Sequence, residues 1–169
     1  MLGAVLILQD AGPADHANVK RATAALEGVC ERVLVFGGAS EPDTDHRPLP
    51  ADPSELAAVA AALREAGDGH VAVLPVDLGH PSAELLRYMA HVRGSFEAVV
   101  PERRDGTAQP LVALYHASLL RRADGLLAAG ERDLSKLLHL ASVRRISVDE
   151  TAKFGEPEGL LERTGPTRL

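Results

Sequence analysis

The stretch VAVLPVDL, at residues 71–78, decides the fold. It is a short apolar run bounded by Gly69 and Gly79, which is typical of a central parallel strand because helices cover both faces of such a strand. Asp77 lies at its end. In an open α/β sheet the carboxyl ends of the strands form the ligand-binding crevice, so a carboxylate there can hold a metal ion against a triphosphate. The alternative is that Asp77 only caps the next turn, and this stretch alone favours that simpler interpretation.

Strands and helices alternate on both sides of this stretch, which indicates a sheet with helices packed over it. A strand over residues 98–101 and another over 111–115 are separated by an Asp105-Gly106 turn signal, so we expect an antiparallel insert there. Further strands are predicted at residues 4–9, 32–36 and 143–148, and helices at 16–29, 52–66, from 82 onward, 119–129 and 133–139. Asp52 is the predicted cap of the second helix, and residues 39–50 are predicted to form a surface loop.

The composition favours one domain over residues 1–169. A chain of 169 residues with 46% hydrophobic content can bury one core, and no change in composition divides it. Residues 150–169 contain several glycines and prolines, so we expect a largely irregular tail.

Charge and residue types exclude several classes of protein. The net charge of -6, the 3% aromatic content and the absence of Trp argue against a nucleic-acid partner. The single Cys30 excludes an intramolecular disulfide and a multi-cysteine zinc site. The first apolar run has no preceding positive charges, and no run is long enough to span a membrane, so we expect a cytoplasmic protein without a membrane partner. The oligomeric state is not predicted.

Four segments between residues 70 and 150 resemble the molybdenum cofactor guanylyltransferase family of MobA-like nucleotidyltransferases. They are VAVLPVDL with the following HPSAELLRYM, then AVVPERRDGTAQPLVALY at residues 98–115, LLAAGERDLSKLL at 126–138 and VRRISVDE at 143–150. The block Gln109-Pro110-Leu111 is the most specific of them. The resemblance implies a three-layer, Rossmann-like α/β sandwich with a mostly parallel central sheet, the fold of MobA-like nucleotide-diphospho-sugar transferases.

The resemblance also implies a reaction. A nucleoside triphosphate, typically GTP, gives its nucleoside monophosphate unit to the phosphate of molybdopterin and releases pyrophosphate. Asp77 would be the catalytic carboxylate and would bind Mg²⁺, while Gln109 and Pro110 would line the acceptor side. Such chemistry depends on positioning and on neutralising phosphate charge.

The N-terminal segment departs from the family pattern. Family members follow the first strand with a glycine-rich loop, "LAGG-x-S-x-R-M-G-x-D-K", whereas this chain reads LILQDAGPADHANVK. Asp10 and Asp15 add negative charge where the phosphates should lie, and Gly12 remains as a flexible point. Lys20 and Arg21 are candidates to replace part of the missing positive charge, although a lysine one turn into a helix is more often solvated surface. The degenerate loop leaves two hypotheses: a divergent nucleotidyltransferase, or a non-catalytic binding or regulatory relative that retains the fold.

Three other candidates carry weaker signals. Asp43, Asp45 and His46 form an acid-rich cluster that can bind a metal, although short acidic loops are usually solvated turns. His80 is a candidate second ligand or proton carrier, or equally an exposed residue at a helix start. Gly37-Gly38 lacks the Lys and Ser/Thr of a phosphate loop and is predicted to be a turn.

Overall fold

A computed structural model describes residues 1–8, 16–38 and 44–164. Within these ranges the chain forms a seven-stranded sheet in the order β3-β2-β1-β4-β6-β5-β7. The strands are β1 (Leu2–Leu6), β2 (Arg32–Phe36), β3 (Asp45–Arg47), β4 (His70–Pro75), β5 (Ala98–Pro101), β6 (Ala113–His116) and β7 (Val143–Ile146).

The sheet is parallel except at β6. β1 pairs in parallel with β2 and β4, and β5 pairs in parallel with β7. β6 runs antiparallel to both of its neighbours. Tyr115 of β6 lies opposite Val71 of β4, and Leu114 of β6 lies opposite Val99 of β5. The predicted antiparallel insert and the mostly parallel sheet are therefore confirmed.

Helices cover both faces of the sheet. They are α1 (His16–Glu27), α2 (Glu55–Glu65), α3 (Ala83–Val92), α4 (Leu120–Ala128), α5 (Leu134–His139), α6 (Val148–Thr151) and α7 (Pro157–Leu161). Buried residues of α2, α4 and α5 pack on one face, and those of α1, α3 and α7 pack on the other. The three-layer α/β sandwich is confirmed.

Side-chain caps fix the starts of four helices, α2, α3, α5 and α6. Ser82 accepts a hydrogen bond from the Leu85 amide at the start of α3, and Asp133 accepts one from Ser135 at the start of α5, which relieves amides that lack a helical partner. The predicted cap of α2 was wrong. Ser54 caps α2 instead, because its side chain accepts a hydrogen bond from the Ala57 amide. The Asp52 carboxylate accepts one from the Ser54 amide, two residues further along the chain.

Several boundaries differ from the prediction. β1 begins at Leu2 and ends at Leu6, and the predicted end at Gln9 lies outside the described residues. The predicted loop at 39–50 contains the short edge strand β3, which is polar and only three residues long. The tail carries more regular structure than predicted, because Ser147 and Glu150 form a capping box that starts α6 and Pro157 lies at the start of α7.

None of the helices in the described part of the chain has the length and apolar character that crossing a bilayer requires.

Candidate active site

Asp77 lies just beyond the carboxyl end of β4, at the centre of the sheet. The strand ends at Pro75, and the amide of Val76 donates to the carbonyl of Leu6 at 2.9 Å, which holds the outgoing chain against the end of β1. The sequence places Asp77 at this edge because the apolar run carries the strand through the core and the acid follows where the helices no longer cover it.

The Asp77 side chain is nevertheless buried and paired. The residue is 3% exposed, and Nε of Arg163 donates to both carboxylate oxygens, at 2.8 and 2.9 Å. Nη1 of Arg163 also lies 3.7 Å from Oε1 of Glu55, the first residue of α2. One guanidinium therefore meets two carboxylates, one of which is almost sealed from water.

Residues 162–164, which we call the C-terminal strap, hold Arg163 in this position. The amide of Gly79 donates to the carbonyl of Glu162 at 3.2 Å, and Leu78 forms an antiparallel bridge with Arg163. The amide and the hydroxyl of Thr164 both donate to the carbonyl of Asp77, at 2.6 and 2.9 Å. The strap thus lies across the turn that follows β4.

Gln109, a predicted acceptor-side residue, meets the same C-terminal segment. It is 2% exposed, and its side-chain amide donates to the carbonyl of Leu161 at 2.6 Å. The carbonyl of the neighbouring Pro110 accepts a 2.6 Å hydrogen bond from the hydroxyl of Tyr115, and burial raises the pKa of that hydroxyl above its usual range. Asp77 and Gln109 are far apart in sequence, but the last residues of α7 and the strap contact both.

The predicted cations, Lys20 and Arg21, lie on α1. Lys20 is exposed on α1, and Arg21 donates to the side chain of Asn18. Arg21 also lines an open groove of about 450 Å³ between α1 and the start of α3, together with His80 and Glu84. Gly12 lies outside the described residues. The structure therefore brings Arg21 and His80 together in one groove. Asp77 contacts the strap, and Gln109 contacts Leu161, the residue before the strap.

The described arrangement does not fit a bound divalent metal. No group of three or more His, Cys, Asp or Glu side chains that could hold such an ion occurs within residues 1–8, 16–38 and 44–164. Both oxygens of Asp77 already accept from Arg163, whereas Mg²⁺ binds through carboxylate oxygens that are open to it.

The acid-rich cluster near β3 has its own partners. The hydrogen bond from Arg32 is the main reason that the pKa of the Asp45 carboxyl lies below its usual value, and Arg47 contributes further. A ring nitrogen of His46 lies 2.6 Å from the carbonyl oxygen of Gly37. Asp43 lies outside the described residues. Asp45 and His46 therefore have protein partners on the edge strand β3.

A cavity of about 200 Å³ lies on the other side of the strap. Its lining comes from the turn after β5 and from α7 with the residue that follows it, and includes Arg103, Arg104, Glu158 and Glu162. Arg104 donates to Glu156 at 2.8 Å and is paired with Glu158. Charged side chains and the apolar Pro157 and Leu161 line the cavity together, beyond the carboxyl end of β5.

Sequence reasoning missed Arg163. It falls in the segment predicted to be irregular, and 86 positions separate it from Asp77. The only available signal was the Pro157-Glu158 start of α7, which predicts that the chain continues as ordered structure just before the strap.

An α/β sandwich whose candidate site lies beyond the carboxyl ends of its central strands has the architecture of a ligand-binding domain. A family model described as the MobA-like NTP transferase domain matches residues 14–146. The chain belongs to the MobA-like nucleotidyltransferase family.

The relatives agree with this assignment. A probable molybdenum cofactor guanylyltransferase of Mycobacterium marinum is 31% identical over 121 residues, which are 72% of this chain and 58% of that protein. A similar protein of Deinococcus radiodurans is 45% identical over 83 residues, which are 47% of this chain and 42% of that protein. The chain therefore spans about half the length of the curated relatives that it matches.

Solved structures show the same fold. Molybdopterin-guanine dinucleotide biosynthesis protein A from Archaeoglobus fulgidus superimposes with a TM-score of 0.79 at 16% identity, over 99% of this chain and 93% of that one. A Mycobacterium tuberculosis protein solved in complex with manganese gives a TM-score of 0.62 at 14% identity, over 87% of each chain.

Proposed function

We propose that this protein transfers the GMP unit of GTP to the phosphate of molybdopterin, in the cytoplasm, and releases pyrophosphate. The observation that carries the proposal is the position of Asp77 immediately beyond β4, beside the end of β1. This is the edge at which open α/β sheets bind their ligands. The relatives named as molybdenum cofactor guanylyltransferases supply the choice of substrates.

In this reaction an oxygen of the molybdopterin phosphate attacks the α-phosphorus of GTP. The bond from that phosphorus to the bridging oxygen of pyrophosphate breaks, and pyrophosphate leaves with the electron pair. The protein must therefore hold two anions in line and neutralise the charge on the leaving group. We assign the acceptor side to Gln109 and Pro110, next to the cavity beyond β5, and we assign the triphosphate side to Gly12, Lys20 and Arg21.

Asp77 is the residue that we propose as the ligand of Mg²⁺. A bound divalent ion would supply neutralisation of phosphate charge. In the described arrangement Arg163 holds the carboxylate instead, so no step of the reaction is routed through a metal here.

The same ion pair favours a second candidate function. A chain whose candidate metal-binding carboxylate is neutralised by an arginine, and whose sequence has Gln9 and Asp10 where the family has a Gly-Gly pair, fits a non-catalytic relative that binds a partner. The two candidates differ in whether a nucleotide binds in a way that depends on Asp77.

Titration calorimetry with GTP, CTP and ATP, with and without Mg²⁺, separates them. We expect the wild type to bind GTP with Mg²⁺ and Asp77→Asn to lose that binding. Asp124→Asn is the matched control, because Asp124 is an exposed acid on α4 that pairs with Arg64 on α2. Wild type that gives no heat with any nucleotide would remove the transferase proposal, and nucleotide binding that survives in Asp77→Asn would remove Asp77 from the site.

A further inference from the structure

The cavity of about 200 Å³ beyond β5 is lined by charged side chains of both signs and by two apolar residues. We propose that Glu162 and Arg103 recognise the ring of the acceptor substrate in this cavity, and that this ring contains a 2-amino-4-oxopyrimidine, as a pterin does. The choice of the acceptor as the ligand rests on the proposed function, whereas the cavity and its charges stand on their own geometry.

Three of the charged side chains in the lining already have partners in the protein. Arg104 donates to Glu156 at 2.8 Å and is also paired with Glu158. The Asp105 carboxylate accepts hydrogen bonds from the amide and the hydroxyl of Thr107, at 2.9 and 2.6 Å. Arg104, Glu158 and Asp105 therefore hold the turn after β5 against α7.

Glu162 and Arg103 are the two charges that these contacts leave for a ligand. Within residues 1–8, 16–38 and 44–164, no hydrogen bond or ion pair involves the carboxylate of the exposed Glu162. Nη1 of Arg103 donates to the neutral oxygens of Thr107 and Ala108, each at 3.5 Å, and these long bonds do not neutralise the guanidinium. One acceptor-only group and one donor-only group thus line the same cavity.

The backbone on both sides of the cavity is fixed by hydrogen bonds. The amide of Arg103 donates to the carbonyl of Thr107 at 2.8 Å, which closes the turn after β5. On the other side, the side-chain amide of Gln109 donates at 2.6 Å to the carbonyl of Leu161, the residue before Glu162. Gln109 is therefore a positioning residue for the acceptor side, because it holds the chain that carries Glu162.

The size and the lining of the cavity fit a flat polar ring. A volume of about 200 Å³ is smaller than the roughly 300 to 1,000 Å³ of sites that enclose a whole drug-sized ligand, so it accommodates one ring system. Pro157 and Leu161 supply apolar surface for the face of that ring. A carboxylate accepts from two adjacent N–H donors, and a guanidinium donates to two adjacent acceptors.

A 2-amino-4-oxopyrimidine presents both patterns. Its ring N–H and its 2-amino group are adjacent donors that match Glu162. Its 4-oxo oxygen, beside a nitrogen acceptor of the fused ring, matches Arg103 in the way that arginine binds O6 and N7 of guanine. Pterins and guanine share this chemistry. We assign the cavity to the pterin because Gln109, on the acceptor side, anchors its lining, whereas the cations assigned to the triphosphate, Lys20 and Arg21, lie on α1.

Binding of 6-hydroxymethylpterin to the full chain, followed by the fluorescence of the pterin, tests the proposal. The comparison ligand is the corresponding lumazine, in which an oxo group replaces the 2-amino group. We expect wild type to bind the pterin about tenfold more tightly than the lumazine, since the oxo group presents a second acceptor to Glu162. Glu162→Gln should lose this preference, and Arg103→Gln should bind both ligands about tenfold more weakly.

Glu84→Gln and Arg64→Gln are the matched controls. Glu84 is an exposed acid in the groove between α1 and α3, and Arg64 belongs to an exposed ion pair with Asp124. Both variants should bind the pterin as wild type does. The proposal is overturned if wild type does not discriminate between the ligands, or binds neither at about 1 mM. It also falls if the preference persists in Glu162→Gln or if a folded Arg103→Gln retains wild-type affinity. If thermal melting shows that Arg103→Gln is unfolded, Arg103→Lys, which lacks the planar fork, carries the same expectation.

Guanosine separates the two sources of the ring. We expect it to bind more weakly than the pterin; tighter binding of guanosine that depends on Glu162 would assign the cavity to the nucleotide base and overturn the pterin assignment. None of these titrations contains GTP or Mg²⁺. A chain that binds the pterin as described but binds no nucleotide would therefore refute the proposed transfer alone, and a chain that binds GTP through Asp77 but not the pterin would refute the present proposal alone.

Discussion

A double-mutant cycle on Asp77 and Arg163 measures the strength of the ion pair that closes the site. The side chains of Asp77 and Arg163 are 5% and 20% exposed, so the solvent exposure of this pair is intermediate between that of a surface ion pair and that of a buried one. Two unit charges about 4 Å apart attract by about 4 kcal/mol at an effective dielectric constant near 20. Desolvation of the two groups offsets part of this, and we expect a coupling free energy of about 2 kcal/mol.

The assay is urea unfolding of wild type, Asp77→Asn, Arg163→Gln and the double variant, followed by far-ultraviolet circular dichroism. With a slope of about 2 kcal/mol per molar urea, a loss of 2 kcal/mol moves the midpoint by about 1 M. The reference cycle uses Arg64 and Asp124, whose side chains are 51% and 45% exposed, and its coupling should be below about 1 kcal/mol. A coupling for Asp77 and Arg163 no larger than that of the reference pair would show that this pair is no stronger than an exposed surface pair.

Three further predictions concern groups away from this pair. Tyr115→Phe should destabilise the fold by about 1 kcal/mol, because the hydrogen bond from the buried Tyr115 hydroxyl to the half-buried carbonyl of Pro110 is lost; an unchanged urea midpoint would contradict this. Burial tends to raise the pKa of Glu150, but bonds from Tyr88, Ser147 and Arg144 outweigh it and hold that pKa at about 2. Its contribution to stability should therefore be complete above the unfolded-state pKa and be lost as the pH falls toward 2, so the unfolding free energy of Glu150→Gln should fall less over that range than that of wild type. Burial raises the pKa of the Cys30 thiol to about 11, so at pH 8 iodoacetamide should modify it on the order of a hundredfold more slowly than a free thiol, and a rate equal to that of glutathione would contradict its burial.

The layers of the fold follow from local sequence signals. The apolar run at residues 71–78 predicts a central parallel strand, which the structure shows as β4. The Asp105-Gly106 turn predicts an antiparallel pair of strands, which the structure shows as β5 and β6. These signals act over a few residues, since burial on both faces requires a continuous apolar strand and a tight turn requires particular backbone angles. Gly106, for example, has a φ of 80°, which favours glycine.

The closure of the candidate site could not be predicted in this way. Position at the end of a strand predicts where Asp77 lies but not what covers it, and the covering residue is 86 positions away. No periodicity marks residues 162–164, because the strap is held by hydrogen bonds and the Arg163–Asp77 ion pair and not by an apolar face. The same reason hides β3, whose polar residues Asp45 and Arg47 pair at the edge of the sheet.

The position of Gln109 could be predicted only in part from the sequence. Its position in the Gln109-Pro110-Leu111 block predicted a place near the site, and its bond to Leu161 places it beside the strap. A family pattern can indicate such a residue, but whether its amide faces a ligand or a backbone carbonyl depends on the packing of α7.

Paramagnetic broadening of backbone amide signals by Mn²⁺, recorded on wild type saturated with GTP, measures whether the proposed nucleotide and its metal bind at the edge of the sheet where β1 and β4 end. We expect the signals of Leu78 and Gly79, next to Asp77, to broaden most, and Asp77→Asn to abolish the effect. Broadening centred on any other part of the molecule, or none with GTP bound, would overturn the proposed site.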